Sequence, residues 1–329
     1  MKSRYEKRLS SIGVRGTFVS VGLKQNIVAL SLFSDFRGEL AALSAALIWA
    51  IASVIYIGIG RQLSPLVLNL AKGLIAIALL ILTLLLKGEL LPQVSLSAIG
   101  LLALSGVVGI GFGDTAYFTA LNRLGARRAL VLESIAPPLA AVMALLFLQE
   151  RLAIGAWAGI ALTIAGVTWV VVERTHETLQ PQRHLWRGTV FGLLAALGQA
   201  SGAVLSRAAL ANTTIDPLWS ALLRLVAGGF VLVVWLLFQR RTIQDLKPLQ
   251  SPRFLAILTL TAFASTYLAI WLQQVSLKYT AAGIAQSLSA TSPLFVIPIA
   301  LAIDEKVSVR AIVGVLLALG GIWLLFSWK

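Results

Sequence analysis

The stretch SIAPPLAAVMALLFLQERLAIGAWAGIALTIAG, residues 134–166, decides the fold because the chain contains it twice. When it is shifted by 155 residues, it falls without a gap on SATSPLFVIPIALAIDEKVSVRAIVGVLLALGG, residues 289–321. Similar residues in one uninterrupted register predict a duplicated structural unit. The matching positions are Ser134 and Ser289, Pro138 and Pro293, Leu139 and Leu294, Glu150 and Glu305, Arg151 and Lys306, Gly159 and Gly314, and Gly166 and Gly321.

Long apolar runs surround both copies. The chain has 329 residues, of which 58% are hydrophobic and 12% charged, whereas roughly a quarter of the residues in soluble domains are charged. Runs of about 20 apolar residues match the thickness of a bilayer, and without strand-like alternation they must be helices to satisfy their backbone. We therefore predict an all-α integral membrane protein with ten transmembrane helices at residues 40–60, 65–86, 96–121, 126–149, 153–172, 188–206, 217–238, 254–275, 280–303 and 309–328.

The duplicated unit contains five of these helices. Because five is odd, the two copies enter the membrane in opposite senses, and such inverted repeats are typical of secondary transporters. Gly159 and Gly166 lie on one helix face and predict a close helix approach. The predicted parts are a basic N-terminal tail at 1–37, a first repeat at 38–172, a polar linker at 173–187 and a second repeat at 188–329.

Composition argues against several classes of function. The chain has no cysteine, and its two histidines, His176 and His184, both lie in the linker. This excludes disulfides and thiolate metal sites, and no phosphate-binding loop supports an ATP-driven pump. We predict no enzyme activity, no metal and no cofactor. A membrane-embedded enzyme of lipid or isoprenoid chemistry and a non-transporting scaffold or receptor remain as alternatives.

The run PPLAAVMALLFLQERL at 137–152, with the two glycines that follow it, resembles the drug/metabolite transporter superfamily, specifically its ten-helix EamA-type members. Residues 292–306 and their two following glycines look like the second copy, and the resemblance covers about residues 38–328. It implies a transporter in a bacterial inner or plasma membrane, with cytoplasmic termini and a central cavity between the halves. Lys and Arg are evenly shared between the two sides, so the orientation rests on the resemblance.

Four ionisable residues lie inside predicted spans: Lys72, Asp114, Glu133 and Arg224. Each costs at least ~2.5–3.5 kcal/mol at a helix centre, so each is a candidate functional residue. At 1.5 Å per residue, the first three are predicted to share one layer roughly 10–16 Å below one face. Arg224 is predicted to lie in a second layer, near the opposite face, where no carboxylate accompanies it.

The predicted substrate or ion pathway also includes Tyr117 and Gln199, and we predict that Pro138 and Pro293 kink helices that line the cavity. Structural roles remain open, because both basic residues could extend to the interface and the tyrosine could simply pack. Glu150 and its repeat partner are interpreted as loop carboxylates or as caps of the next helix.

These residues favour a secondary-active transporter of a small metabolite that works by alternating access. The excess carboxylate suggests proton coupling, because it could carry a proton or bind a cationic group. The predicted partners are a small-molecule substrate, the lipid bilayer and, where transport is coupled, protons. A homodimer is compatible with the sequence. The net charge of +14 is interpreted as basic loops that face anionic lipids, so no nucleic-acid partner is predicted.

Overall fold

A computed structural model of the chain describes residues 35–59, 62–89, 92–174, 185–238, 248–302 and 308–328. The predictions for the tail up to residue 34, for both histidines and for Glu305 and Lys306 lie outside the described residues. Within these ranges every regular element is helical. The elements are α1 (Arg37–Ile59), α2 (Pro65–Lys87), α3 (Leu96–Ser105), the π-helical segment π1 (Gly106–Gly113), α4 (Asp114–Glu133), α5 (Ala136–Phe147), α6 (Ile154–Arg174), α7 (Leu185–Leu210), α8 (Pro217–Phe238), α9 (Pro252–Ala262), the π-helical segment π2 (Phe263–Leu268), α10 (Ala269–Tyr279), α11 (Ala282–Ser289), α12 (Ser292–Ala302) and α13 (Val309–Ser327).

In the described part of the chain the elements form ten apolar crossings, which confirms the predicted fold. Nine helical spans in the described ranges are long and apolar enough to cross a bilayer. The tenth crossing consists of α11 and α12, which are separated by a break at Ala290 and Thr291. Two of these spans share α4: one ends at Leu121 and the next begins at Arg128.

The duplication predicted from the sequence is visible in the element boundaries. The π-helical segments end 155 residues apart, at Gly113 and Leu268. The helices α5 and α12 also end 155 residues apart, at Phe147 and Ala302, and α6 and α13 begin at the same interval. The odd number of crossings in each copy makes the repeats inverted.

Local sequence signals place the helix ends in the polar stretches. Pro65 begins α2, where its missing N–H costs nothing. Gly88 ends the helix with φ of 71°, a conformation that glycine adopts without strain. Serines before α3, α9 and α13 each accept a hydrogen bond from the first turn of the helix: Ser95, Ser251 and Ser308.

Glycines bring the last helices of the two repeats into direct backbone contact, as the sequence predicted. A Cβ atom on Gly159 would lie 3.0 Å from the carbonyl oxygen of Gly321, and one on Gly166 would lie 2.5 Å from that of Gly314. Small residues at a helix interface allow this approach in lipid. The helices α6 and α13 thus join the repeats along their length.

Ten crossings place the start of α1 and the end of α13 on one face of the membrane, which we call the terminal face. The described residues 88–89, 92–95, 148–153 and 211–216 also lie on this face. We call the opposite face, where α2 begins and α6 ends, the far face.

Candidate functional site

A cavity of about 340 Å³ lies inside the helix bundle, with lining residues from both repeats. Its wall combines apolar side chains such as Trp49 and Ile270 with a dense set of polar groups. A concave site with a few converging polar groups is the usual form of a small-molecule site. The polar lining residues are Lys72, Asp114, Glu133, Ser134, Gln199, Arg224, Ser265, Thr266, Gln273, Gln286, Ser289 and Ser292.

Two amides hold the carboxylate of Asp114 in place. Gln199 donates a hydrogen bond of 2.9 Å to Oδ1, and Asn69 donates one of 3.5 Å to Oδ2. Lys72 and Arg224 both attract this carboxylate electrostatically. Both oxygens of Asp114 therefore already have partners from the protein.

The guanidinium of Arg224 is the most buried charge in the cavity. Its residue is 4% exposed, and Nε and Nη1 have no hydrogen-bond partner among the described residues. Glycines let α8 approach π1 closely, since a Cβ on Gly106 would lie 2.2 Å from the carbonyl oxygen of Arg224. A guanidinium stays protonated in a protein, so Nε and Nη1 need hydrogen-bond acceptors within the cavity.

Glu133 and Lys72 complete the charged lining. Oε2 of Glu133 is buried and has no hydrogen-bond partner in the described part of the chain. The ammonium of Lys72 lies 5.9 Å from the ring centroid of Tyr56, within the range of a cation–π interaction. The cavity is thus lined by two cations and two acids.

Both repeats place a broken helix at the cavity. In the first repeat the break at Ser134 and Ile135 separates α4 from α5, and in the second a break separates α11 from α12. Pro137 and Pro293, which stand in the first turns of α5 and α12, line the cavity. The N-terminus of a half-helix carries partial positive charge and favours anionic groups.

The π-helical segment of the second repeat supplies further polar groups. Trp49 donates a hydrogen bond of 2.9 Å to the carbonyl oxygen of Ser265, and the Tyr56 hydroxyl lies 2.8 Å from Oγ of the same serine. A π-helical turn displaces carbonyls from the α-helical pattern. Both partners of Ser265 lie on α1, so these hydrogen bonds connect the two repeats.

Sequence comparison assigns the chain to a family. The model of the EamA-like transporter family matches residues 36–172 and again residues 186–327. The chain belongs to the EamA-like transporter family. It is therefore a multi-pass membrane protein that transports small molecules, as the resemblance implied, and its immediate partners are a small-molecule substrate and the lipid bilayer.

A solved structure titled "Crystal structure of protein" has the same fold as this EamA-like chain. Its TM-score is 0.72 at 18% identity, and the match covers 87% of this chain and 95% of that one. No curated protein sequence matches the chain.

The structure of this EamA-like transporter brings most of the predicted pathway residues together. Lys72, Asp114, Glu133, Gln199 and Arg224 all line the single cavity described above, and so does Pro293. Neither basic side chain extends away to the membrane interface, because both face the cavity.

Three predicted positions differ in the structure. Arg224 is not without an accompanying acid, because its side chain lines the same cavity as Asp114 and attracts that carboxylate electrostatically. Tyr117 packs beside Ala120 and Leu124 rather than in the cavity wall. Pro138 does not line the cavity either, because its neighbour in the first turn of α5 takes that position and successive helical residues point about 100° apart.

Glu150 is neither a solvated carboxylate nor a cap of the next helix. It accepts a hydrogen bond of 2.5 Å from Nε of Arg207 and another of 3.0 Å from the backbone N–H of Ala282. It therefore caps α11, which belongs to the other repeat.

The sequence prediction missed Asn69, which is 3% exposed and holds Asp114. A signal was present, because an asparagine three residues before Lys72 shares its face of an otherwise apolar helix. The uncharged lining residues Ser265 and Gln273 carry no comparable signal.

Proposed function

We propose that the protein is a secondary-active transporter that moves a small metabolite by alternating access, with the substrate bound in the cavity between the repeats. One observation carries this proposal: buried charged atoms without a hydrogen-bond partner among the described residues line a cavity between two inverted repeats. Inverted repeats allow each half to adopt the conformation of the other. The proposed functional units are residues 38–172 and 188–329, and the proposed location of the terminal face is the cytoplasm.

The two repeats differ in the way alternating access requires. All eight residues of α11 are buried, whereas most of the described side chains in its repeat counterpart, residues 128–134, are only partly buried. The cavity also reaches Leu130 and Val171, which lie within about a turn of the far face. We interpret this state as closed at the terminal face and open toward the far face.

A set of polar contacts closes the terminal face. Arg207 on α7 donates to Glu150 and to the carbonyl oxygens of Leu277 and Lys278, at 3.0 and 2.7 Å. The same carboxylate caps Ala282 at the start of α11. We call these five residues the terminal-face latch. It joins both repeats, so inward opening has to break it.

Glu150→Gln is expected to loosen the latch. The substitution removes the charge that attracts Arg207, and a hydrogen bond to a charged group contributes about 1.5–3 kcal/mol. Amide hydrogens in α11 should therefore exchange roughly tenfold or more faster, as measured by hydrogen–deuterium exchange and mass spectrometry.

The matched control for this variant is Glu173→Gln at the far face, where Glu173 accepts a hydrogen bond from Ser308. It should leave exchange in α11 unchanged. Equal exchange in α11 in both variants would refute the latch.

Proton coupling through Glu133 or Asp114 is part of the proposed mechanism. A carboxylate buried beside a second acid is stabilised when it takes up a proton or a cation. Glu133→Gln, or Asp114→Asn, should abolish substrate accumulation driven by a pH gradient while exchange of substrate across the membrane still occurs at saturating substrate concentration. Unchanged gradient-driven accumulation in both variants would exclude coupling at these residues.

The first experiment on function is metabolomics of medium and cells with and without the protein. The transported compound should change its distribution across the membrane, and the purified protein in proteoliposomes should then exchange it. A protein that changes no metabolite distribution and exchanges no candidate in proteoliposomes would contradict the proposed transport.

A further inference from the structure

Two charged side chains that line the cavity have buried atoms without a hydrogen-bond partner in the described part of the chain. Nε and Nη1 of Arg224 lack hydrogen-bond acceptors, and Oε2 of Glu133 lacks a donor, within the described part of the chain. Both residues line the same cavity. Buried charged groups are normally paired, so these atoms indicate what the occupant must supply.

The other two charged groups in the cavity, Asp114 and Lys72, already have partners within the protein. Both oxygens of Asp114 accept hydrogen bonds from amides, and Lys72 lies close to an aromatic ring and is attracted to Asp114. With two cations and two acids, the lining is neutral when all four are charged. A substrate with a net charge would therefore unbalance the cavity.

We propose that the substrate is a small zwitterion whose anionic group binds Arg224 and whose ammonium group binds Glu133. This inference rests on the proposed function, since it names the class of molecule that the cavity would carry. A simple anion would leave Glu133 without a cationic partner unless this carboxyl took up a proton, and a simple cation would leave Nε and Nη1 of Arg224 without an acceptor. A zwitterion pairs both groups in their charged forms, which matters because an unpaired buried charge is strongly unfavourable.

The position of the two residues in the membrane fits a molecule held between them. Arg224 lies seven residues into α8 from the terminal face, and Glu133 lies five residues after the start of its span at the far face. At 1.5 Å per residue, both are within about 11 Å of opposite faces. Their long side chains therefore approach the cavity from opposite ends.

Uncharged groups in the same wall suit each end of a zwitterion. Hydroxyl and amide groups from Ser289, Ser292 and Gln286 provide donors for an oxyanion, and the half-helix α12 directs its N-terminus at the cavity. The indole of Trp49 also lines the cavity, and aromatic faces attract ammonium groups. A volume of about 340 Å³ limits the occupant to a small metabolite.

Binding of matched probes to the purified full-length protein tests the proposal. The probes are α-, β- and γ-amino acids, each with its methyl ester, which lacks the anion, and its N-acetyl form, which lacks the ammonium. At least one zwitterion should bind about ten- to a hundredfold more tightly than both of its derivatives, as measured by calorimetry. A derivative that binds as tightly as the tightest zwitterion, or a panel without any bound zwitterion, would overturn the proposal.

Two substitutions test which residue binds which end of the zwitterion. Glu133→Gln should reduce the preference for the zwitterion over its N-acetyl form, and Arg224→Gln should reduce the preference over its methyl ester. Lys87→Gln, which alters an ion pair with Asp216 outside the cavity, should leave both ratios unchanged. If either residue has a purely structural role, its substitution should weaken the binding of all probes equally, and that result would refute the assignment.

The binding and exchange experiments together distinguish a failure of this inference from a failure of the proposed transport. If the reconstituted protein exchanges a plain anion or cation and binds no zwitterion, transport is supported and the zwitterion is refuted. If the protein binds a zwitterion but never moves it across a sealed membrane, the inference holds and the proposed transport fails.

Discussion

Gly106→Ala is expected to remove most transport activity, with at least a tenfold loss of substrate exchange in proteoliposomes. The new Cβ would lie 2.2 Å from the carbonyl oxygen of Arg224 and 2.8 Å from its Cα. Because both contacts are with backbone, no side-chain rotation can relieve them. The helix α8 has to move away from π1, and it moves the guanidinium out of the cavity.

Gly100→Ala provides a matched control in α3, the helix that leads into π1. A Cβ at Gly100 meets no heavy atom within 4 Å, and alanine favours a helix by about 0.8–1 kcal/mol over glycine. This variant should therefore be at least as stable as the natural chain and fully active. If the Gly106 variant exchanged substrate as fast as the Gly100 variant, close packing of π1 on α8 would not position Arg224.

Gly166→Leu is expected to prevent assembly of the two repeats. A Cβ at Gly166 would lie 2.4 Å from the backbone nitrogen of Ala318 and 2.5 Å from the carbonyl oxygen of Gly314. Helix association in lipid depends on such close packing, and overpacking costs about 1–3 kcal/mol or more. We expect a large loss of monodisperse protein in size-exclusion chromatography and a lower Tm.

Gly320→Leu is the control on the opposite helix. The nearest atom to a Cβ there is Cδ2 of Leu162 at 3.4 Å, the end of a flexible side chain. This protein should remain monodisperse. Equal yields and Tm values for the two variants would contradict the glycine-mediated contact of α6 and α13.

The sequence predicted the number of crossings and the duplication because apolar runs and a repeated motif are local signals. It predicted a kink at Pro293 but not the complete break at Ala290 and Thr291, since residues 280–303 form one apolar run of ordinary length. The sequence of the glycine-rich segment at 106–113 also did not predict its π-helical geometry. That geometry depends on how closely α7 and α8 pack against it, which is a tertiary property.

The charged part of the candidate site could be predicted because ionisable residues are rare inside membrane spans. Depth counting placed Arg224 near the opposite face but could not show that its guanidinium reaches the cavity lined by Asp114, because it locates Cα atoms and ignores the length of the side chain. The partner of Glu150 could not be predicted, since Arg207 lies in the other repeat. The uncharged lining residues are indistinguishable in sequence from ordinary polar packing.

The most direct test of alternating access is the reactivity of one cysteine at Ser289. This serine lines the cavity, is 6% exposed and has a side chain with no hydrogen-bond partner among the described residues; the chain has no native cysteine. In sealed, oriented vesicles, an impermeant thiol reagent should react faster from the far face at rest and should also react from the terminal face during substrate exchange. Reaction from one face only, unchanged during exchange, would contradict transport through this cavity.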